Sequence, residues 1–199
     1  MNHILVVYAT FSGTTVDVAR AVADELGKRS LQVDVRSIED VKNLDAYDAV
    51  VLGAPMIMGF HRRALSFLRQ NREALSRKPL AVFATAMSLT QPQKTTLDGV
   101  PLTLDENLVT PTKRAGHYSL KESYTKAENY ASPILKAAGP ARPMSLAFFG
   151  GRLDFYRLKW WAMLFVMVVV QAKPGDRRNW PAIRAWAVML ADKFVLPRD

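Results

Sequence analysis

The chain has 199 residues, of which 49% are hydrophobic and 23% are charged, as is typical of a globular protein with a core rather than of a disordered segment. It contains no cysteine, which excludes disulfides, thiol nucleophiles, thiolate zinc sites and iron–sulfur clusters. With only three histidines, no metal centre is predicted.

The net charge of +9 is unevenly distributed. Residues 1–100 carry 12 basic and 10 acidic side chains, whereas residues 101–199 carry 15 and 8. This bias predicts an anionic partner, which is a phospholipid surface, a nucleic acid or a ligand that bears carboxylates. The basic residues are scattered and lack an aromatic-basic motif, so nucleic-acid binding is not predicted.

The first ninety residues alternate between strand and helix patterns. Short apolar runs predict strands, and apolar residues at helical spacing predict the helices between them. Such an order indicates parallel strands joined by right-handed crossovers, and therefore an α/β fold with a doubly wound sheet. The predicted strands are Ile4–Tyr8, Gln32–Ile38, Asp48–Ala54 and Leu80–Ala86, with helices over residues 16–26 and Arg62–Arg77.

The pattern breaks between Gln91 and His117, where prolines and glycines predict a long loop. A loop of this length is a functional lid, a partner site or a disordered segment. We treat residues 1–199 as a single domain with an insertion at about 91–117. After it we predict a helix over Ser119–Ala138, with any bend at Pro133, a fifth strand over Met144–Phe149, and helices over Tyr156–Ala172 and Pro181–Leu196.

The most specific motif lies between the first strand and the first helix. Residues 10–15 place four hydroxyl side chains around one glycine and carry no charge. Amide groups at a helix start, with hydroxyl donors beside them, form a binding site for a phosphate dianion. The loop lacks the Lys-Ser/Thr pair of an ATPase loop and the three spaced glycines of dinucleotide sites. The alternative is a hydroxyl-rich helix cap that binds no ligand.

The motif TFSGTT after a first strand resembles the FMN-phosphate loop of the flavodoxins. More narrowly, three stretches resemble the flavodoxin-type, menaquinone-dependent protoporphyrinogen oxidases. These stretches are YDAVVLGAPMIMGF at Tyr47–Phe60, FFGGRLDFYRLKWW at Phe148–Trp161 and AKPGDRRNWPAIRAWA at Ala172–Ala187. The resemblance implies a flavodoxin-like, five-stranded parallel sheet in the order 2-1-3-4-5, with helices on both faces and the ligand at the carboxyl ends of the strands.

The resemblance also implies FMN as the cofactor, held by three loops. The residues that it assigns to the phosphate loop are Thr10, Phe11, Ser12, Gly13, Thr14 and Thr15. Those that it assigns to the two sides of the isoalloxazine are Pro55, Met56, Ile57, Met58 and Gly59 after the third strand, and Ala86, Met87, Ser88 and Leu89 after the fourth. One departure is that related proteins stack an aromatic ring here, whereas this loop offers methionines, which either contact the flavin or pack into the core.

The function expected from the resemblance is that of an oxidoreductase that passes electrons to a quinone, with protoporphyrinogen IX of heme biosynthesis as the donor. The three loops contain no Asp or Glu, and Arg62, Arg63 and Arg152 lie near their ends. Such surroundings favour negative charge on a reduced flavin and make its reduction easier. No nucleophile or carboxylate pair is evident, so no catalytic residue is assigned. A soluble flavodoxin-type electron carrier and a flavodoxin-like interaction module without activity remain the alternatives.

Several residues outside the loops carry weaker expectations. Trp160–Val170 is apolar on every helical face and has basic flanks, which predicts either a core helix or an anchor on an anionic membrane surface. The expected location is therefore cytoplasmic, peripheral on the membrane in the second case, and a homo-oligomer stays open. Lys113, Arg114 and His117 either bind substrate carboxylates or lie in a solvated loop. His61 is either a proton relay or, as we expect, a surface residue.

Overall fold

A computed structural model describes residues 2–11, 13–57, 59–90, 95–112, 117–153 and 175–195. The strands in this part of the chain are β1 (His3–Tyr8), β2 (Gln32–Ser37), β3 (Ala49–Pro55), β4 (Leu80–Ala86), β5 (Leu89–Thr90), β6 (Thr96–Leu97), β7 (Val100–Leu104), β8 (Val109–Thr110), β9 (Ser145–Gly150), β10 (Arg152–Leu153) and β11 (Gly175–Asp176). The helices are α1 (Thr14–Gly27), α2 (Arg62–Gln70), α3 (Arg72–Ser76), α4 (Leu120–Tyr124), α5 (Ala127–Ala138) and α6 (Trp180–Val195), with a 3₁₀ turn over Ile38–Asp40.

The central sheet contains the predicted parallel order. Strands β2, β1, β3, β4 and β9 are neighbours in that sequence and pair in parallel, so the expected order 2-1-3-4-5 is confirmed for these five. Strands β3, β4 and β9 are buried at every position, which explains their continuous apolar sequences. Strand β2 lies at the edge and is partly exposed.

Two further strands extend this sheet, so the prediction of five strands is corrected to seven. Strand β7 pairs in parallel with β9, and β6 pairs antiparallel with β7. Both lie in the region predicted as a loop, as does β8, which pairs with β5 in a separate small sheet. These strands have two to five residues, too few for a readable alternation. Each forms because another strand offers a backbone partner, which is β9 for β7, β7 for β6 and β5 for β8.

Helices cover both faces of the sheet. Helices α1 and α6 pack on one face, in the same apolar cluster as Phe83, Phe149 and Trp186. Trp186 places its ring centroid 6.0 Å from that of Phe83 and 5.6 Å from that of Phe149, and its Nε1 donates a hydrogen bond to the Ser145 hydroxyl at 3.0 Å. Helices α2 and α5 cover the other face. The architecture is therefore the expected doubly wound one.

Two predicted helices are each divided in the structure. The helix expected over Arg62–Arg77 breaks at Asn71, whose side-chain amide donates to the Phe67 carbonyl at 2.9 Å and so shares that acceptor with the Asn71 backbone amide. The helix expected over Ser119–Ala138 breaks at Thr125, not at Pro133, where the Thr125 backbone carbonyl accepts from the Thr90 amide of β5.

The described residues contain no helix that is long and apolar enough to cross a bilayer. The predicted helix Tyr156–Ala172, with its apolar segment Trp160–Val170, lies outside them. The expected last helix, Pro181–Leu196, corresponds to α6.

Candidate functional site

The turn before α1 has a glycine where the backbone requires one. Gly13 has φ +84° and precedes the first helical residue, a conformation that a side chain disfavours. The Thr10 hydroxyl accepts a hydrogen bond from the Gly13 amide at 2.8 Å, so it holds the turn rather than the helix. Among the described residues no side chain caps α1. The helix therefore presents amide groups and the positive end of its dipole without a local acceptor.

Three buried polar atoms that follow carboxyl ends of strands lack a hydrogen-bond partner among the described residues. They are Thr15 Oγ1 after β1, His61 Nδ1 after β3 and Ser88 Oγ after β4. A buried polar atom without a partner costs about 1–3 kcal/mol. Thr15 is fully buried in the first turn of α1, where a bound anion would supply the missing acceptor. These atoms make this edge of the sheet the candidate ligand site.

A small cleft of about 30 Å³ lies at the same edge. It brings together residues from all three predicted loops and from a fourth segment after β9. Its lining residues are Phe11, Thr14, Pro55, Met56, Ile57, Thr85, Ala86, Met87, Gly151, Arg152 and Leu153. We call this the carboxyl-edge cleft, and we call residues 151–153 the rim segment.

Seven predicted cofactor residues line the carboxyl-edge cleft and six do not. The seven are Phe11, Thr14, Pro55, Met56, Ile57, Ala86 and Met87. Thr10, Gly13, Thr15 and Gly59 lie in the predicted loops without lining it, Ser88 is buried, and Leu89 is a core residue. Met56 also packs in the core, which is one of the two alternatives that the sequence left open, and its contact with a flavin stays a prediction. Ser12 and Met58 lie outside the described residues.

The sequence analysis missed the rim segment as a wall of the site. The residues not anticipated there are Gly151 and Leu153, while Arg152 was noted only for its charge. The signal was present, since these residues belong to the stretch Phe148–Trp161 that carried the resemblance. Their position depends on the antiparallel pairing of β10 with β11, a contact between segments that the sequence does not relate.

A fully buried aspartate from the insertion holds the start of the rim segment. Asp105 Oδ2 accepts from the Gly150 amide at 2.9 Å, and Oδ1 accepts from the Asn179 side chain at 3.0 Å and from the Asn107 amide at 2.9 Å. The carboxylate therefore ties the insertion, the end of β9 and the residue before α6 together. These charge-assisted bonds favour one geometry at the rim.

Arg177 joins this region to the loop after β4. Its amide donates to the Gly151 carbonyl at 3.0 Å, and its Nη1 donates to the Met87 carbonyl at 3.0 Å. A Cβ added to Gly150 would lie 1.9 Å from the Arg177 carbonyl oxygen. Gly150 is therefore required because two backbone segments meet there.

Phe11 and His61 form an aromatic pair beside the carboxyl-edge cleft. Their ring centroids are 4.3 Å apart at 51°, and Phe11 is 53% exposed whereas His61 is buried. The expectation of a surface histidine is therefore wrong, because Phe11 covers the imidazole. Burial, followed by the Arg63 guanidinium, lowers the pKa of His61, and Glu39 opposes this. The loop after β1 thus contributes an aromatic ring, Phe11, to the lining of the cleft, whereas the described residues of the loop after β3 contribute none.

Among the described residues that line the carboxyl-edge cleft there is no acidic side chain, and Arg152 is the one basic residue. Of the other two arginines expected nearby, Arg63 forms an ion pair with Glu39 and Arg62 is exposed on α2. His117 is exposed, and Lys113 and Arg114 lie outside the described residues. In that part of the chain no cluster of potential metal ligands occurs.

The fold and this site define a class of protein. The Flavodoxin domain family matches residues 5–179, and the chain belongs to that family. The expected resemblance to flavodoxin-like proteins is thereby confirmed.

Individual relatives add detail. The chain is 21% identical over 175 residues to a protoporphyrinogen IX dehydrogenase [quinone] of Escherichia coli strain K12, covering 86% of this chain and 81% of that protein. Among solved structures it is similar to a short-chain flavodoxin associated with a PDU bacterial microcompartment, with a TM-score of 0.52, 15% identity and coverage of 98% and 99%. It is also similar to oxidised flavodoxin 2 from Bacillus cereus, with a TM-score of 0.52, 16% identity and coverage of 96% and 99%.

The residues present fit the flavin cofactor that this family implies. The uncapped start of α1, the glycine turn and the partnerless Thr15 hydroxyl suit a phosphate ester. The carboxyl-edge cleft, at about 30 Å³, does not enclose a ring system, but its largely apolar lining offers a surface on which one face of a ring would lie. The family and the distant relative support an oxidoreductase of flavodoxin type.

Proposed function

We propose that this protein is an FMN-dependent oxidoreductase that takes electrons from an anionic organic donor and passes them to a quinone. The observation that carries the proposal is the set of three partnerless polar atoms around an apolar cleft at the carboxyl edge. Protoporphyrinogen IX is the donor that we propose, because the relative from Escherichia coli is named for it.

The chain would hold the cofactor through its backbone and hydroxyl groups. The α1 amides with Thr14 and Thr15 would bind the phosphate, and Thr10 would keep the turn in shape. Pro55–Ile57 on one side and Ala86–Met87 on the other would exclude water from the ring, with Phe11 covering an edge. When bound, FMN supplies the hydride and electron transfer, and the protein supplies position and electrostatics.

The charge of the site favours a quinone as the acceptor. No carboxylate is found among the described residues that line the carboxyl-edge cleft, whereas Arg152 lines it and the Arg177 guanidinium is bound to the carbonyl of the lining residue Met87. Positive charge nearby stabilises negative charge gained on reduction. The protein therefore raises the potential of its cofactor relative to a site with acidic walls, which suits delivery to a quinone better than low-potential electron carriage.

The decisive experiment combines a visible spectrum with an anaerobic half-reaction. We expect the purified protein to bind FMN near one equivalent, to be reduced by protoporphyrinogen IX without oxygen, and to be reoxidised by menaquinone. Reduction without reoxidation by the quinone would support a soluble electron carrier instead, which fits the similarity to flavodoxins. Failure to bind FMN would refute the proposal and favour an interaction module.

We also propose that the protein works at an anionic membrane surface, where quinones are dissolved. The support is the apolar segment Trp160–Val170 between basic flanks in the sequence. The protein should sediment with vesicles that contain phosphatidylglycerol and detach as salt is raised, since screening weakens such contacts. Equal partition onto neutral vesicles at all salt concentrations would contradict an electrostatic contribution, and light scattering would determine whether a homo-oligomer forms.

A further inference from the structure

Three arginines lie near the rim of the carboxyl-edge cleft, and two of them are occupied. Arg178 donates to both carboxylate oxygens of Asp176, at 2.8 and 2.5 Å, and to Asp17 at 2.7 Å. Its side chain is only 8% exposed and lies over the Trp180 ring. Arg177 is bound to the Met87 carbonyl. Both side chains hold segments of the protein together.

Arg152 differs from both. It is exposed, it lines the carboxyl-edge cleft, and it forms no hydrogen bond or ion pair with a described residue. Its cross-strand neighbour is Asp176, the natural partner for such a side chain. Both oxygens of that carboxylate are already taken by Arg178, so Arg152 attracts Asp176 only through a weaker Coulomb interaction. Its guanidinium keeps its donors available to a ligand.

The chemistry around Arg152 indicates what that ligand is. The other lining residues are mainly apolar, among them Phe11, Met56, Met87 and Leu153. An apolar wall with one guanidinium at its mouth suits a flat hydrophobic molecule with an anionic group on its edge. Guanidinium binds carboxylate through two parallel hydrogen bonds, which adds both affinity and orientation.

The position of Arg152 separates this role from phosphate binding. Strand β9, which leads into the rim segment, is separated from β1 by β3 and β4 in the sheet. The phosphate loop follows β1, so Arg152 lies on the opposite side of the cleft. We propose that Arg152 binds a carboxylate of the electron donor and orients the donor at the mouth of the carboxyl-edge cleft. This inference rests on the proposed function and names a residue that determines specificity within it.

The test measures equilibrium binding of two porphyrins to the FMN-loaded protein. Porphyrin fluorescence, recorded in neutral detergent, reports the bound fraction. Protoporphyrin IX carries two carboxylates, and its dimethyl ester carries none. We expect Arg152→Gln to weaken binding of the diacid about tenfold, the effect of losing one charge-assisted pair, and to leave the ester unchanged. The affinity of Arg152→Lys for the diacid should lie between those of the parent and of Arg152→Gln, because lysine keeps the positive charge but cannot form two parallel hydrogen bonds to a carboxylate.

The matched control is Arg69→Gln, which removes an equal charge from an exposed position on α2. It should alter binding of neither porphyrin. If Arg152→Gln binds the diacid as the parent does, or loses both porphyrins equally, the inference is overturned. A changed flavin potential with unchanged diacid binding would also overturn it, by assigning Arg152 to the cofactor.

The outcome can be separated from that of the proposed function. In steady-state turnover, Arg152→Gln should raise KM for protoporphyrinogen IX by a larger factor than it lowers kcat. If the parent binds FMN and prefers the diacid but oxidises no porphyrinogen, the proposed donor fails while the assignment of Arg152 stands. If the parent is active and the variant retains its KM, the assignment fails and the function stands.

Discussion

The two ends of the central sheet differ both in cavity volume and in the hydrogen bonding of their polar groups, and the two differences point to opposite ends. The amino ends of the strands border a cavity of about 890 Å³, and the carboxyl ends border one of about 30 Å³. At the amino end Asn2 donates to the Phe194 carbonyl, Lys78 to the Tyr47 carbonyl, and the His3 amide to Asp48. Asn2, Asp48 and Lys78 line the large cavity, and each of them already has a partner.

The carboxyl end has the smaller cavity, but some of its buried polar atoms lack hydrogen-bond partners among the described residues. Thr15, His61 and Ser88 each bury a polar atom there without a partner among the described residues. The one comparable atom near the amino ends, His3 Nε2, faces the Asp34 carboxylate at 3.5 Å. Ligands of open α/β sheets bind at the carboxyl ends, which is the end where the described residues leave these polar atoms unmet, although the larger cavity lies at the amino ends.

The largest effect should come from removing the aspartate that supports the carboxyl end. Asp105→Ala leaves the buried Gly150 amide and the Asn179 side chain without their acceptor. We expect a loss of about 3 kcal/mol of unfolding free energy and loss of FMN binding, measured by urea denaturation and flavin fluorescence.

The control for that variant lies at the other end of the sheet. Asp48→Ala removes an exposed carboxylate that accepts one hydrogen bond, and it should cost less than about 1 kcal/mol with unchanged FMN affinity. If Asp105→Ala and Asp48→Ala lose equal amounts of unfolding free energy and of FMN affinity, the proposed difference between the two ends of the sheet is contradicted.

Gly150→Ala should have the next largest effect. The added Cβ would overlap the Arg177 carbonyl, which is backbone and yields poorly. We expect a cost of about 1–3 kcal/mol and weaker FMN binding, because the rim segment is displaced. Gly27→Ala is the matched control, since an added Cβ there meets nothing within 4 Å. If calorimetry finds the two variants equally stable, the close backbone contact is not real.

Thr15→Val tests the unmet hydrogen bond at the carboxyl end, because it should change the stability of the protein and its affinity for FMN in opposite directions. The substitution removes a buried hydroxyl that lacks a partner, so the protein without FMN should gain about 1 kcal/mol. If that hydroxyl binds the phosphate, the Kd for FMN should rise about tenfold, the equivalent of 1.4 kcal/mol.

Thr90→Val is the matched control, because the Thr90 hydroxyl is buried but has hydrogen-bond partners. Its buried hydroxyl donates to the Glu122 carbonyl at 2.9 Å and lies 2.9 Å from the Thr125 hydroxyl. The variant should lose about 1 kcal/mol of stability without a change in Kd. Titration calorimetry gives the Kd for FMN of both variants, and thermal melting gives their stability. A stabilised Thr15→Val protein with unchanged affinity for FMN would show that the Thr15 hydroxyl does not bind the phosphate.

The smallest effect is the pH dependence of His61. The folded protein lowers the pKa of this imidazole below its ordinary value of 6.5, so the unfolded chain binds the proton more readily. Stability should therefore fall as pH drops below about 6.5 and level off below the folded value. His61→Gln should lack this loss, as urea denaturation at pH 8 and pH 5 would measure. The exposed His117→Gln variant should retain it, and identical profiles in parent and His61→Gln would contradict the assignment.

Much of the fold follows from local patterns. The apolar runs that became β1, β3, β4 and β9 are readable because strands buried on both faces are apolar at every position. The glycine turn at Gly13 is readable because few residues adopt its conformation. The strands of the insertion were not readable, because two to five residues with an embedded proline show no period.

The sequence by itself determined the class of the protein, through its strand order and through one loop of hydroxyls around a glycine. Only the tertiary structure decided which groups lack partners and which walls complete the cleft. The rim segment, the buried Asp105 and the Arg152 guanidinium, which bonds to no described residue, all depend on contacts between distant segments. Hydrogen-bond satisfaction is a property of three-dimensional neighbours, and no spacing along the chain encodes it.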